Sequence, residues 1–142
     1  MGAATNYLEK AMLDHILGGP DYTRPTNIYV GLSRAEIEED GTGVDEPDGA
    51  AGYARVEVTN NNTNFPDAEI NADDKAETEL ATQVDFPEAT GSWGTITHFF
   101  LADSSTGENI LLKGELVVAK GVEAGDNPGY SFRAGEIIIT KD

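Results

Sequence analysis

Residues 91–116 constrain this chain most, because they spell a β-hairpin whose first arm is apolar on both faces. Gly91-Ser92-Trp93-Gly94-Thr95-Ile96-Thr97-His98-Phe99-Phe100-Leu101-Ala102 is dense in β-branched and aromatic residues. Asp103 to Gly107 is a polar turn, and Asn109-Ile110-Leu111-Leu112-Lys113-Gly114-Glu115-Leu116 returns as the second arm. Strict alternation puts Ile96, His98 and Phe100 on one side and Thr95, Thr97, Phe99 and Leu101 on the other. A strand with one wet face would be polar on one of these sides. Trp93, Ile96, Phe99, Phe100 and Leu101 are therefore assigned to the core or to an oligomer contact: one face enters the core and the other meets a second layer or a partner chain.

Further strands are expected at 28–33, 52–59, 79–86, 115–120, 130–133 and 136–140, bounded by turn signals from a pool of 16 glycines and six prolines. That spacing predicts a mainly β fold, an antiparallel β-sandwich of jelly-roll type, and the 142 residues suit a single domain spanning 1–142. One helix precedes it, over residues 5–18. Asn6 and Glu9 have capping-box spacing, Leu8, Met12, Leu13, Ile16 and Leu17 form an apolar stripe, and Gly18-Gly19-Pro20 stops the helix. The stripe must cover something, either the chain's own sheet or another subunit. Leu8, Met12 and Ile16 are the candidate partner-docking residues.

The formal net charge is −17, from 26 acidic and nine basic residues, which repels phosphates and argues against direct nucleic-acid binding. The acidic run Glu36, Glu38, Glu39, Asp40, Asp45, Glu46 and Asp48 is interleaved with Gly and Pro and reads as a solvated loop without enough apolar surface to order itself. Its oxygens leave a calcium site open, although EF-hand spacing is missing. Acidic residues also decorate the helix, strands and C-terminus, which points to a halophilic source. The chain has no cysteine, hence no disulfide or thiolate metal site, and no apolar run long enough to span a membrane.

Catalytic patterns are weak. His15 and His98 stand apart from other ligand-type residues and read as structural. Gly91-Ser92-Trp93-Gly94 lacks nucleophile-elbow spacing, Gly41-Thr42-Gly43 lacks the third glycine of a dinucleotide fingerprint, and a carboxylate pair such as Glu38 with Asp45 is uninformative among so many acids. No enzyme activity, metal or cofactor is expected. Asn61-Asn62-Thr63 is formally an N-glycosylation acceptor.

Trp93-Gly94-Thr95-Ile96-Thr97-His98-Phe99, the following Leu101-Ala102-Asp103 and the apolar return strand resemble a family of small virion structural proteins of tailed phages and tailed archaeal viruses. The same order of motifs continues in Asn6 to Lys10, Ile28 to Ser33, Gly52 to Val56, Asn64-Phe65-Pro66, Phe86-Pro87 and Ala124-Gly125-Asp126. The resemblance implies a non-enzymatic virion component without an active site. The first expectation is a capsid decoration, cement or turret subunit on the head surface, docked on the major capsid protein. A tail-fibre or tail-tip component bound to a tail protein is the alternative. Partners include other copies of the chain, most simply a trimer through the two-faced hairpin arm. A carbohydrate-binding module is the competing class, with an exposed Trp93 as its stacking platform.

The charge generates a test. Repulsion between carboxylates is screened within about 3 Å at 1 M salt against about 10 Å at 0.1 M. Thermal unfolding in molar KCl should therefore have a midpoint clearly above that in dilute buffer. Equal midpoints would mean that the carboxylates lie too far apart to matter.

Overall fold

The computed structural model describes residues 2–107 and 109–141. Along the chain come β1 (Gly2–Ala4), α1 (Asn6–Ile16), β2 (Asn27–Ser33), β3 (Val56–Thr59), β4 (Glu69–Ile70), β5 (Ala76–Glu79), β6 (Val84–Asp85), β7 (Gly94–Ala102), β8 (Ile110–Val122), β9 (Ser131–Phe132) and β10 (Ile138–Lys141). The main sheet has the order β3-β2-β7-β8-β1-β10-β5-β4, and β6 pairs with β9 in a second, small sheet. All pairings are antiparallel except β1 with β10. The protein is thus mainly β, built of antiparallel sheets with one short N-terminal helix.

The hairpin forms the middle of the main sheet, with β7 between β2 and β8. One face of it enters the principal core. Phe99 meets Phe132 of the small sheet at 5.5 Å between ring centroids, and Tyr130 and Phe86 close the aromatic cluster around Phe132 at 4.9 and 6.3 Å. Trp93 is fully buried, edge-on to Tyr53 at 5.4 Å, and its Nε1 donates to the Ala51 carbonyl at 2.9 Å. Gly129 is what lets the indole in. A Cβ at that position would stand 2.3 Å from Trp93 Cη2.

Phe100 points to the other face and is equally buried. Its cross-strand neighbour is Gly31, and the ring lies over that glycine so closely that a Cβ there would stand 2.1 Å from Cζ. The Arg55 guanidinium covers the ring at 4.8 Å to the centroid, and Ile37, Ala102 and Ile110 complete a second small core with Val44 against it. Ile37 and Val44 belong to the acidic segment. The expectation of a purely solvated loop is corrected here: its few apolar residues suffice to roof one aromatic ring, and its charges stay at the rim.

Ile96 also departs from simple alternation, since it packs in the principal core with Phe99 and Leu101 and not with Phe100. The cause is an irregularity between the Ile96–Lys120 and His98–Glu115 pairs, where Thr97 alone opposes Leu116 to Ala119. With four residues of β8 against one of β7 the irregularity exceeds an ordinary two-against-one β-bulge, and the strands bend and twist locally where the ladder breaks.

Boundaries differ as well: the expected strand 52–59 begins only at Val56, after the Gly49–Ala51 3₁₀ turn and Gly52 at φ +89°. The helix spans Asn6–Ile16 with Thr5, not Asn6, as its N-cap: the Thr5 carbonyl accepts from the Glu9 amide at 3.0 Å, while the Thr5 hydroxyl donates to the Ile110 carbonyl at 2.6 Å and makes no side-chain cap, so the expected Asn6–Glu9 capping box is not formed. Gly18, at φ +94°, follows the C-cap Leu17 in the left-handed conformation that favours glycine. The expected strand 79–86 is two strands, and 115–120 is the distal part of β8.

Gly31→Ala should destabilise the protein by about 1–3 kcal/mol through overpacking, and Phe100→Ala by about 3–5 kcal/mol. In the Phe100→Ala background the glycine substitution should be nearly neutral, since the ring it would strike is gone. A double-mutant cycle from urea melts reads that coupling.

Candidate functional site

A polar, largely buried cluster lies where the acidic segment returns to the sheet. Asp48 caps a short 3₁₀ turn over Gly49–Ala51, accepting from the Ala50 amide at 2.9 Å, and Gly52 at φ +89° redirects the chain toward Tyr53 and Arg55. The Tyr53 hydroxyl accepts from the Leu32 amide at 3.0 Å and donates to Glu46 Oε1 at 2.7 Å. Arg55 binds Glu46 in bidentate fashion, Nε to Oε1 and Nη2 to Oε2, both at 2.9 Å. Its Nη1 and Nη2 also donate to the Ser104 and Gly107 carbonyls of the β7–β8 turn, each at 2.9 Å.

These contacts are spent on holding three segments together. Burial first, then the neighbouring Glu46 charge, pushes the Tyr53 phenol above its ordinary value, so it stays protonated and remains a donor. Arg34 grips Asp45 in the same bidentate way, at 3.1 and 2.8 Å, and Asp45 is half of the Glu38–Asp45 carboxylate pair that the sequence offers. The Thr42 hydroxyl and amide both donate to Asp40 Oδ1, at 2.6 and 3.0 Å, and hold that carboxyl below the usual carboxylate range. The acidic segment is knitted to itself and to two arginines. Among the described residues no group of three or more His, Asp and Glu converges in a way that could hold a metal ion.

The two histidines have separate partners. His98 Nδ1 lies 2.8 Å from the Thr97 hydroxyl, and His15 Nδ1 accepts from the Tyr22 amide at 3.1 Å. Trp93, Ile96, Phe99, Phe100 and Leu101 are all inside the chain's own cores. The indole is therefore no stacking platform for a sugar, and both faces of the β7 arm are covered without a partner.

Exposed apolar surface lies elsewhere. On α1, Leu8 is half-buried against the principal core and Glu9 pairs with Lys141 at 3.1 Å, but no helix residue is fully buried. Met12 is exposed, and so are Leu13, Ile16 and the C-cap Leu17, at 63%, 73% and 75%. The second surface is the β8 bulge. Pairing with β1 stops at Gly114 and pairing with β7 skips 116–119, which leaves Val117 99% and Val118 74% exposed. They form the lip of a groove of about 320 Å³ whose lining includes Phe99, Leu116, Tyr130 and Phe132. Sequence reading took 115–120 for an ordinary strand. The signal it passed over is Leu116-Val117-Val118-Ala119, an apolar run on both parities with no second apolar layer assigned to it.

The family model described as Podophage GP4 fiber I protein gp80 matches residues 3–140. That is nearly the whole chain, and the chain belongs to this family of phage fibre proteins. Comparison with curated proteins finds no match.

The tyrosine generates a pH test. A phenol whose folded-state pKa is raised contributes stability that is present in full below the unfolded value of about 10 and is lost as pH climbs above it. Thermal midpoints should fall above about pH 10, and Tyr53→Phe should soften that fall. At neutral pH the same substitution should cost about 1–3 kcal/mol, because the buried Leu32 amide loses its acceptor.

Proposed function

We propose that this member of the podophage fibre family is a non-enzymatic tail-fibre or tail-tip subunit that works by surface complementarity. The observation that carries the reading is the family match across residues 3–140, which names a fibre and makes the chain a structural component of the virion. Capsid decoration, the first expectation from sequence, has no comparable support. The structure is consistent with an assembly role. Its arginine–carboxylate contacts join segments of the fold, and its large exposed side chains include apolar ones on α1 and the β8 bulge. A net charge of −17, whose self-repulsion strong salt screens, fits a virus of a salt-loving host.

Electron microscopy of virions labelled with gold-conjugated antibody against the protein tests the placement. Gold confined to the tail or its fibres is expected. Gold distributed over the capsid faces or vertices would return the head-decoration reading to first place.

A further inference from the structure

We propose that His15 is a pH-sensitive clasp: neutral, it holds the connector between α1 and β2 against the helix, and protonated, it lets the connector go. His15 Nδ1 accepts from the Tyr22 amide at 3.1 Å, which folds the chain back toward the end of α1 after the turn at Gly18. An imidazole nitrogen accepts only while it carries no proton, so the bond requires the neutral ring with its hydrogen on Nε2. A proton on Nδ1 sets two N–H groups against each other. The charged ring has another partner in reach, since Asp21 Oδ1 lies 3.7 Å from the same nitrogen. It also stands in the last turn of the helix, where the dipole favours a cation. The neighbouring Asp14 is held by Lys10 at 2.6 Å, which leaves Asp21 as the carboxylate that a charged His15 recruits. Protonation thus exchanges the Tyr22 backbone for the Asp21 side chain.

The connector is held by little else. Among the described residues, Tyr22 is the only one between 18 and 24 whose backbone is hydrogen-bonded, and the next ties are the Pro25 and Thr26 carbonyls, both to Asn60. The Tyr22 side chain works against docking. Its hydroxyl is buried and has no hydrogen-bond partner among the described residues. Burial first, then Tyr7 and Asp103, raise the phenol above its ordinary value, so it stays a donor without an acceptor. A buried unpaired donor carries a desolvation penalty that contact with water relieves. The docked connector is therefore closely balanced, and the loss of one hydrogen bond decides it. Histidine side chains change charge between pH 5 and 8, so the clasp works in that range. It closes beside Ile16 and Leu17 in the chain, and its state sets how firmly the exposed apolar end of α1 is held.

Hydrogen exchange followed by NMR on the full-length chain in dilute buffer tests the clasp, with each rate divided by the intrinsic rate at the same pH. Protection of the Tyr22 amide should fall by about two- to tenfold from pH 8 to pH 5, the size of one hydrogen bond. The Trp93 amide, bonded to the Val122 carbonyl in the core, should stay protected at both. Two variants separate the proton from the contact, and circular dichroism checks that both keep the helix. His15→Asn places a carbonyl that does not titrate near the position of Nδ1, and should protect Tyr22 equally at both pH values. His15→Leu removes the acceptor and should leave Tyr22 unprotected at both. Equal Tyr22 protection at pH 8 and pH 5 in the unaltered chain, an undiminished pH step in His15→Asn, or normal protection in His15→Leu would each overturn the proposal.

Discussion

The fold hangs on the stack of the Arg55 guanidinium over the Phe100 ring. Phe100 is on the outer face of a central strand, where a large apolar side chain must be taken out of water, and Gly31 lets it lie flat on the sheet. The cation above it would be costly to bury alone. Glu46 neutralises it through two hydrogen bonds, and the hairpin-turn carbonyls take further donors. Through that one side chain the acidic segment, the extended segment leading into β3 and the β7–β8 turn become a single unit. Tyr53 ties the unit to the β2 backbone and, by its edge contact with Trp93, to the principal core.

This arrangement explains which parts of the structure can be read from the sequence. The two-sided apolar pattern of Phe99, Phe100 and Leu101 demands cover on both faces, and that demand is local. What supplies the cover is not local. Arg55, Glu46 and Ile37 are distant from Phe100 in sequence, and in composition they look like any surface residues. β1 is hidden for a related reason: Gly2-Ala3-Ala4 has little strand propensity, and it is a strand because a slot between β8 and β10 accepts it. The bulge at Leu116 to Ala119 could not be placed without the register on either side of it, so the reset at Ile96 went unread. The helix stripe was visible, but whether its own sheet would bury it depends on tertiary placement alone.

A functional consequence follows from the same division of labour. Of the carboxylates that the sequence offers for calcium or for acid–base chemistry, Asp45 and Glu46 are occupied by Arg34, Arg55 and Tyr53 in holding the second layer down. The ridge on α1 and the lip of the β8 groove are exposed, apolar and positioned by the sheet, α1 through β1 and the lip through the β7–β8 register. The like charge of the carboxylates at the surface opposes non-specific association.

Amide hydrogen exchange across residues 34–45 measures the central claim most directly. Ordered as a second layer, the segment should protect the Arg34 amide, bonded to the Asp45 carbonyl at 2.9 Å, the Glu38 amide, bonded to Thr42 at 2.8 Å, and the Asp45 amide, bonded to the Ser33 hydroxyl at 3.0 Å. Arg55→Met should abolish that protection while leaving the Phe86 amide, bonded to the Tyr130 carbonyl in the principal core, protected. Exchange of residues 34–45 at unprotected rates in the unaltered protein would contradict the account, because the segment would then be a solvated loop and Phe100 would have no roof.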